Sequence, residues 1–280
     1  SRGYKRKNAS SQQRLRFCED SKIDPVFFGD EPYLLAKRNP EVPVYVGSSR
    51  FITADLAEKQ DHPDILLLDD AYQHLAIHRD LNLLLIDAEQ GLGNRHLLPF
   101  GVLREPENQW NRADAVILTK TNLATSDKVL QILKHELQVN CPVFKFKYEV
   151  QGLTRLDGKA QLNLNEIINK QLLLTSGIAQ PKGFERLLEQ QSVEIIGKIE
   201  FPDHHDYGAE DVRKILETQQ KLKPEYLLTT EKDAVKLRNF AELGEQIWVL
   251  EMEMIPDNLW NDFLVEFLSL KFENLTNENN

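Results

Sequence analysis

Short, continuously apolar runs recur along the first half of the chain, with stretches of helical character between some of them. Runs of this kind are too apolar to alternate between a buried and an exposed face, so they predict strands covered on both faces of a parallel sheet. Crossover helices are expected at 55–60 and 127–138. The predicted strands are 42–46, 65–68, 81–86, 115–118 and 143–146. The first half therefore predicts a doubly wound α/β fold.

The pattern changes near 145–156, where polar and apolar residues alternate and 153–158 resembles a hairpin turn. This change predicts a domain boundary, with domains at 1–148 and 149–280. The second part repeats the α/β arrangement on a smaller scale, and Thr230 begins a capping-box-like helix start. Strands are predicted at 172–175, 193–199, 226–229 and 247–251, and helices at 182–190 and 210–222. The fold class is thus a mostly parallel sheet with a second, smaller α/β domain.

Composition excludes several classes of protein. The 280 residues carry a net charge of −10, which argues against general binding to nucleic-acid backbones, since that requires clustered positive charge. Cys18 and Cys141 have no spacing that predicts a disulfide framework or a zinc site, and a reducing cytoplasm suits them. No apolar run approaches the ~18 to 20 residues that cross a bilayer.

The predicted strand at 65–68 ends in two adjacent carboxylates, Asp69 and Asp70. In nucleotide-binding α/β folds, a carboxylate at the carboxyl end of a buried strand holds Mg²⁺ or its water beside the phosphates. Two acids can equally open a polar loop. The density of hydrogen-bonding groups that follows favours the site, and its members are Tyr72, Gln73, His74, His78, Arg79 and Asp80.

A second acidic turn, Gly29-Asp30-Glu31-Pro32, stands at the entrance of a predicted helix. Asp30 can cap that helix, or it can act as a base if a partner positions it. The segment Phe201-Pro202-Asp203-His204-His205-Asp206-Tyr207 offers a partner after a predicted strand. An Asp-oriented His in this loop can accept a proton, whereas a metal site or a solvated loop are the alternatives.

Two arginines, Arg50 and Arg104, each lie in a loop after an apolar run. The planar guanidinium is suited to phosphate, so the pair favours a phosphate-handling cleft in the first half. A basic stretch of Lys5, Arg6 and Lys7, with Arg14 and Arg16, can touch anionic lipid or be solvated.

Seven short motifs, taken in order, resemble the tetraacyldisaccharide 4'-kinase (lipid A 4'-kinase) family. They are Ser1-Arg2-Gly3-Tyr4, Gly29-Asp30-Glu31-Pro32, Asp69-Asp70-Ala71-Tyr72-Gln73-His74, His78-Arg79-Asp80, Leu103-Arg104-Glu105-Pro106, Phe201-Pro202-Asp203-His204 and Thr229-Thr230-Glu231-Lys232-Asp233. A co-linear set of this size is far more specific than any one of its members.

The resemblance implies a P-loop NTPase-like kinase that moves the γ-phosphate of ATP, with Mg²⁺, onto the 4'-hydroxyl of tetraacyldisaccharide 1-phosphate. By the same resemblance, Asp30 and His204 form the catalytic dyad, with Asp203 beside His204. Nucleotide and metal binding fall on Asp69, Asp70 and Gln73, and Glu105 joins the expected metal ligands. The positions expected near the phosphates or the disaccharide head group are Arg50, His74 and Arg104.

The resemblance also implies segments upstream of Ser1, namely the glycine-rich phosphate loop and a hydrophobic membrane helix. We therefore expect a chain truncated at its N-terminus, inactive alone, whose intact form is a monomer. It would lie on the cytoplasmic face of the inner membrane, in peripheral contact with anionic lipid. The rival hypotheses are a P-loop kinase or ATPase acting on another substrate, and a non-catalytic truncated relative.

Overall fold

The computed structural model describes residues 12–16, 25–124 and 127–278. The helix Lys128–Gln131 continues into a single π-helical turn, Ile132–Glu136. The helices and strands in chain order are β1 (Gln13–Leu15), α1 (Pro25–Phe28), α2 (Asp30–Arg38), β2 (Val44–Val46), α3 (Arg50–Asp61), β3 (Leu83–Asp87), β4 (Ala115–Thr119), α4 (Lys128–Gln131), β5 (Val143–Arg155), β6 (Gln161–Leu162), β7 (Gln171–Ser176), α5 (Pro181–Glu189), β8 (Glu194–Glu200), α6 (Ala209–Leu222), β9 (Tyr226–Thr230), α7 (Glu231–Leu237), β10 (Ile247–Pro256) and α8 (Asn258–Glu278).

The chain forms two compact units. Unit 1 comprises residues 1–78 and 150–252, and unit 2 comprises residues 79–149 and 253–280. Strands β5 and β10 each begin in one unit and end in the other. One passage between units, at 149/150, lies within one residue of the predicted boundary, but neither unit is a contiguous stretch of chain. The division into contiguous domains at 1–148 and 149–280 stays a prediction.

Unit 1 is built on a mostly parallel sheet in the order β5, β10, β9, β7, β8. The pairs β10/β9, β9/β7 and β7/β8 are parallel, and β6 adds an antiparallel hairpin to β5. Leu173 and Leu227 are fully buried where helix α6 covers the sheet with Val212 and Ile215. Strands covered on both faces exclude water from nearly continuous apolar runs, which is why the local sequence pattern predicts them.

Strands β1 and β2 form a separate antiparallel pair in unit 1. Leu15, Ala36 and Val46 are fully buried there and bring helix α2 against the pair. This packing fixes the helix that begins with Asp30.

Unit 2 contains the parallel strands β3, β4 and β5. Every residue of β4 is buried. Phe144 and Phe146 on β5 both pack against Trp260 of α8, with ring centroids 5.3 Å apart in each pair. Phe144 also packs against Phe263 of α8, at 5.0 Å between centroids. The far end of the chain therefore completes this unit.

One predicted strand is wrong. The segment 65–68 has no regular secondary structure, and Ile65, Leu66 and Leu67 are 49%, 41% and 88% exposed. A strand requires a neighbour that accepts and donates its backbone hydrogen bonds. Within the described part of the chain no strand lies beside this segment, so the apolar run stays a loop.

The remaining predicted strands of both parts, and the predicted helices, are present with boundaries shifted by a few residues. The run at 42–46 forms strand β2, but it pairs antiparallel with β1 instead of joining the predicted parallel sheet. Among the residues that the structure describes, no helix combines the length and apolarity needed to cross a bilayer.

Candidate active site

Asp30 is the first residue of α2, at the positive end of the helix dipole, where a carboxylate is stabilised. The preceding residue, Gly29, is buried and has φ 94°, a conformation that side-chain-bearing residues rarely adopt. Its carbonyl accepts the Tyr33 N–H at 3.2 Å, which starts the helix. The tight turn therefore places the Asp30 side chain, which is 15% exposed, at a defined point of unit 1.

The loop after β8 carries His204, whose backbone is left-handed with φ 57°. The His204 N–H donates to the Gly177 carbonyl at 3.2 Å, beyond the end of β7. A Cβ atom at Gly177 would lie 3.0 Å from the Tyr207 hydroxyl and 3.2 Å from the Pro202 carbonyl, so a glycine lets the loop approach the strand end closely. This loop, residues 201–207, brings His204 toward Asp30.

The structure places the two sequence-predicted dyad residues side by side. His204 Nδ1 lies 3.9 Å from Asp30 Oδ2, and His204 Nε2 lies 3.8 Å from Asp203 Oδ2. These distances are longer than a hydrogen bond, but catalytic hydrogen bonds are often long before substrate binds. The predicted roles of Asp30, His204 and Asp203 remain proposals, whereas their proximity is a property of the fold.

Two lysines that the sequence reasoning missed as site residues complete this group. Lys232 Nζ lies 2.9 Å from Asp203 Oδ1 and 3.3 Å from His204 Nε2. Lys236 Nζ lies 3.3 Å from Asp30 Oδ2. We refer to Asp30, Asp203, His204, Lys232 and Lys236 as the dyad cluster. The signal that could have found the lysines is their spacing of four residues on α7, which puts both on one helical face next to a strand end.

Lys232 also accounts for the ionisation of Asp203. Burial alone would raise the pKa of this carboxyl, but the hydrogen bond and charge of Lys232, with the nearby His204, hold its pKa below the ordinary value. Asp203 is therefore a carboxylate at neutral pH, and it balances the charge of Lys232.

His205 turns away from the dyad cluster. Its Nε2 lies 3.0 Å from Asp211 Oδ2, and its ring stacks on Phe201 with centroids 4.8 Å apart. Tyr207 donates to Asp233 Oδ1 at 2.8 Å, and burial together with the Asp233 charge raises the pKa of the Tyr207 phenol. His205 and Tyr207 anchor the loop, and the adjacent imidazoles do not face a common point.

Helices α2 and α7 are joined directly within unit 1. Arg38 forms an ion pair with Glu231 and donates to the Met252 carbonyl at 2.8 Å. Since Asp30 begins α2 and both lysines lie on α7, this contact fixes the two sides of the dyad cluster relative to each other.

Asp69 and Asp70 lie in an exposed turn, with Asp70 at φ 45°. Arg50, the first residue of α3, is only 6% exposed, and its Nη2 donates to the Asp69 carbonyl at 2.7 Å and to the Asp70 carbonyl at 2.8 Å. Arg50 thus holds the turn by its backbone carbonyls and not by its carboxylates. Downstream, Gln73 is exposed and His74 is half-buried.

The two remaining predicted positions belong to unit 2. Arg104 is exposed, and Glu105 is half-buried and ion-paired with Arg112. A carboxylate already neutralised by an arginine is a weaker candidate for a metal ligand than one exposed to solvent. The roles of Arg104 in substrate binding and of Glu105 in metal binding stay predictions.

The described residues contain no group of three or more His, Cys, Asp or Glu side chains arranged to hold a metal ion. Magnesium in phosphoryl-transfer sites is commonly held by one or two carboxylates, with nucleotide phosphates and waters supplying the other oxygens. The exposed carboxylates of the Arg50-held turn fit such a partial set. Asp69, Asp70 and Gln73 are therefore the residues that could hold Mg²⁺ together with a nucleotide.

The motif Ser1-Arg2-Gly3-Tyr4, the residues Lys5, Arg6 and Lys7 of the basic stretch, and Cys18 lie outside the described part of the chain. Arg14 of the basic stretch forms an ion pair with Asp61, with 2.7 Å between Nη2 and Oδ1.

Comparison with known proteins identifies the family. A family model described as tetraacyldisaccharide-1-P 4'-kinase matches residues 1–269. A tetraacyldisaccharide 4'-kinase of Bdellovibrio bacteriovorus is 40% identical over 228 residues, which cover 81% of this chain and 67% of the relative. One from Desulfatibacillum aliphaticivorans is 35% identical over 283 aligned positions, covering 96% of this chain and 74% of the relative.

Among solved structures, a crystal structure described as the "apo" form of LpxK from Aquifex aeolicus in complex with ATP has a TM-score of 0.70 to this chain. The two are 28% identical, and the match covers 96% of this chain and 76% of the other. This similarity confirms the predicted α/β, P-loop NTPase-like fold. On sequence and on structure together, the chain belongs to the tetraacyldisaccharide 4'-kinase family.

Proposed function

We propose that the protein transfers the γ-phosphate of ATP to the 4'-hydroxyl of tetraacyldisaccharide 1-phosphate, a step of lipid A synthesis. The observation that carries the proposal is the dyad cluster, in a chain whose family relatives are named for this reaction. A carboxylate positioned by an imidazole can accept the proton of an alcohol that attacks a phosphoryl group.

In the proposed reaction, Asp30 Oδ2 accepts the proton of the 4'-hydroxyl as its oxygen forms a bond to the γ-phosphorus. The bond between that phosphorus and the bridging oxygen of ADP breaks, and ADP leaves with the electron pair. His204 orients the Asp30 carboxylate, which α2 carries at its first residue.

Asp69, Asp70 and Gln73 would hold Mg²⁺ with the ATP phosphates. When bound, Mg²⁺ neutralises charge that develops on the phosphate oxygens. The proposed positions near the phosphates or the disaccharide head group are Arg50, His74 and Arg104, with Arg50 acting through the backbone that it holds in place.

The substrate class also leads us to propose a monomer in peripheral contact with anionic lipid at the cytoplasmic face of the inner membrane. A polar sugar phosphate with four acyl chains stays anchored in a bilayer, so an enzyme that acts on it works at the interface. Residues 1–280 supply the acceptor-side groups, and we propose that transfer also requires a phosphate-binding loop outside them.

The proposed function is tested by following transfer from γ-labelled ATP to the acylated disaccharide 1-phosphate, presented in anionic or zwitterionic vesicles. Residues 1–280 are assayed in parallel with a longer version that also carries a phosphate-binding loop at its N-terminus. We expect the longer protein to be active, most strongly with anionic vesicles, and Asp30→Asn to lower its turnover about 100-fold or more while ATP affinity is retained.

Three results would contradict parts of this proposal. Transfer to a soluble sugar that is independent of acyl chains would favour a kinase with another substrate. Equal activity of residues 1–280 alone would remove the requirement for an additional loop. Loss of ATP affinity in Asp30→Asn would make Asp30 a nucleotide-site or structural residue.

A further inference from the structure

Lys232 makes an unusual contact with the ring of His204. Its Nζ lies 3.3 Å from His204 Nε2, and the ammonium side chain is 25% exposed. A protonated lysine has only N–H donors and no acceptor, so the imidazole nitrogen that it faces must offer a lone pair. If Lys232 donates a hydrogen bond in this contact, His204 Nε2 carries no proton.

The tautomer of a neutral imidazole is set by the hydrogen bond that its other nitrogen makes. If Nε2 accepts from Lys232, the single ring proton is on Nδ1, which is the nitrogen 3.9 Å from Asp30 Oδ2.

Asp203 provides the opposing interaction. Its Oδ2 lies 3.8 Å from His204 Nε2 and could accept a hydrogen bond from Nε2 if that nitrogen carried the ring proton. However, Asp203 Oδ1 is engaged by Lys232 at 2.9 Å, and the lysine is nearer to the ring nitrogen than the carboxylate is. As long as Lys232 is present, it occupies the position from which Asp203 would otherwise select the other tautomer.

We propose that Lys232 is a positioning residue that holds His204 in the Nδ1–H tautomer, and that Asp203 acts on the site by keeping Lys232 in place. The His204 N–H then points at the Asp30 carboxylate and leaves that carboxylate as the proton acceptor. The catalytic consequence rests on the proposed function, whereas the tautomer is a property of the protein without substrate.

Lys236 offers a matched contrast on the same helical face. Within the described part of the chain, its Nζ contacts oxygens, at 3.3 Å from Asp30 Oδ2, 3.2 Å from the His204 carbonyl, 2.9 Å from the His205 carbonyl and 3.3 Å from Asp206 Oδ1. These contacts saturate its three N–H donors and do not include a ring nitrogen. Lys236 fastens the loop, so its removal should weaken the loop without selecting a tautomer.

The tautomer is read by long-range ¹H–¹⁵N correlation spectra of protein labelled at its seven histidines, at a pH where imidazole is neutral. His204→Gln assigns the resonances. We expect Nδ1–H for His204 in the unsubstituted protein, retention in Lys232→Arg, and a change toward Nε2–H in Lys232→Met, where Asp203 is released. His205 is an internal control, since its contact with Asp211 does not involve Lys232.

An Nε2–H tautomer in the unsubstituted protein would overturn the proposal without any variant having to fold. An unchanged tautomer in a folded Lys232→Met protein would also overturn it, and so would the same tautomer change in Lys236→Met. In the active longer protein we expect Lys232→Met to lower kcat at least tenfold, with KM for ATP unchanged and Lys232→Arg restoring most of the rate. If no kinase activity were found at all, the proposed function would fail while the tautomer result would stand.

Discussion

The Arg50 guanidinium contacts the Asp69–Asp70 turn through two backbone carbonyls. Because the Arg50 side chain is 6% exposed, these hydrogen bonds are partly shielded from water, and a carbonyl that lost its partner would be costly. A buried arginine that fixes a carboxylate turn supports the site whether or not any ligand is bound.

Arg50→Met should therefore lower the free energy of unfolding by about 2 kcal/mol, the range expected for hydrogen bonds that involve a charged partner. Urea unfolding without ligand measures this effect. Arg213→Met is the control, because Arg213 is 70% exposed and its ion pair with Glu217 on the surface of α6 is long, at 3.9 Å. This substitution should change the free energy of unfolding by less than about 0.5 kcal/mol. Equal stability of the two variants would show that Arg50 contributes only through ligand.

At the scale of single residues, sequence and resemblance together predicted Asp30 and His204 as partners, and the structure brings them together. The lysine contacts could not be predicted in the same way, because the partner of a charged side chain depends on tertiary packing. Local spacing shows that Lys232 and Lys236 share a helical face, but it does not show which loop that face meets.

The elements β1, β2 and α3 are linked by one polar cluster. Arg14 on β1 donates twice to the Asp61 carboxylate at the end of α3, at 2.9 and 2.7 Å, and Tyr45 on β2 donates to the same group. The hydrogen bonds from Arg14 and Tyr45 hold the pKa of Asp61 below its ordinary range. Burial of the phenol, together with the hydrogen bond to Asp61 and its charge, raises the pKa of Tyr45 to about 12. Three elements thus share one ionised group.

The stabilisation from Asp61 should depend on pH in a defined direction. Since its pKa is lower in the folded state than the unfolded value near 4, the stabilisation is complete above about pH 4 and is lost as the pH falls through the folded pKa. Asp61→Asn should lower Tm by about 3 °C at pH 7, equivalent to about 1 kcal/mol, and the difference should shrink toward pH 2.

Thermal unfolding at pH 7, 5, 3 and 2 measures this dependence. Asp55→Asn is the matched control on the same helix, because its pair with Lys59 is exposed and should contribute little. A difference between Asp61→Asn and the unsubstituted protein that persists at pH 2 would assign the effect to packing.

At the scale of elements, the apolar runs that became β4, β7 and β9 were predictable because burial on both faces leaves a local signature. The run at 65–68 has the same signature, but the local sequence does not show which strand would pair with it, and the segment is exposed. Local pattern therefore indicates which segments can be strands, and strand pairing decides which of them are.

At the scale of the whole molecule, both compact units are discontinuous in sequence. Unit 2 takes its aromatic cluster from two distant stretches, Phe144 and Phe146 on β5 and Trp260 and Phe263 on α8. A cut after residue 148, where the sequence predicts a domain boundary, would separate the two halves of that cluster.

Residues 1–148 expressed alone should therefore expose Phe144 and Phe146, bind the dye ANS and aggregate, because large apolar surfaces are not tolerated in water. Co-expression with residues 149–280 should restore solubility and reduce ANS binding. The uncut chain is the control. A soluble fragment 1–148 that unfolds cooperatively and binds no ANS would instead support contiguous domains at 1–148 and 149–280.

The ion pair between Arg38 and Glu231 joins positions 193 residues apart in the chain. During translation, at roughly 5 to 20 residues per second, α2 leaves the ribosome on the order of 10 to 40 seconds before α7 follows. Throughout that interval Asp30 lacks the two lysines that contact it or its partners in the complete protein. The dyad cluster is therefore assembled late, and a nascent chain interrupted before α7 contains the acid without the groups that orient it.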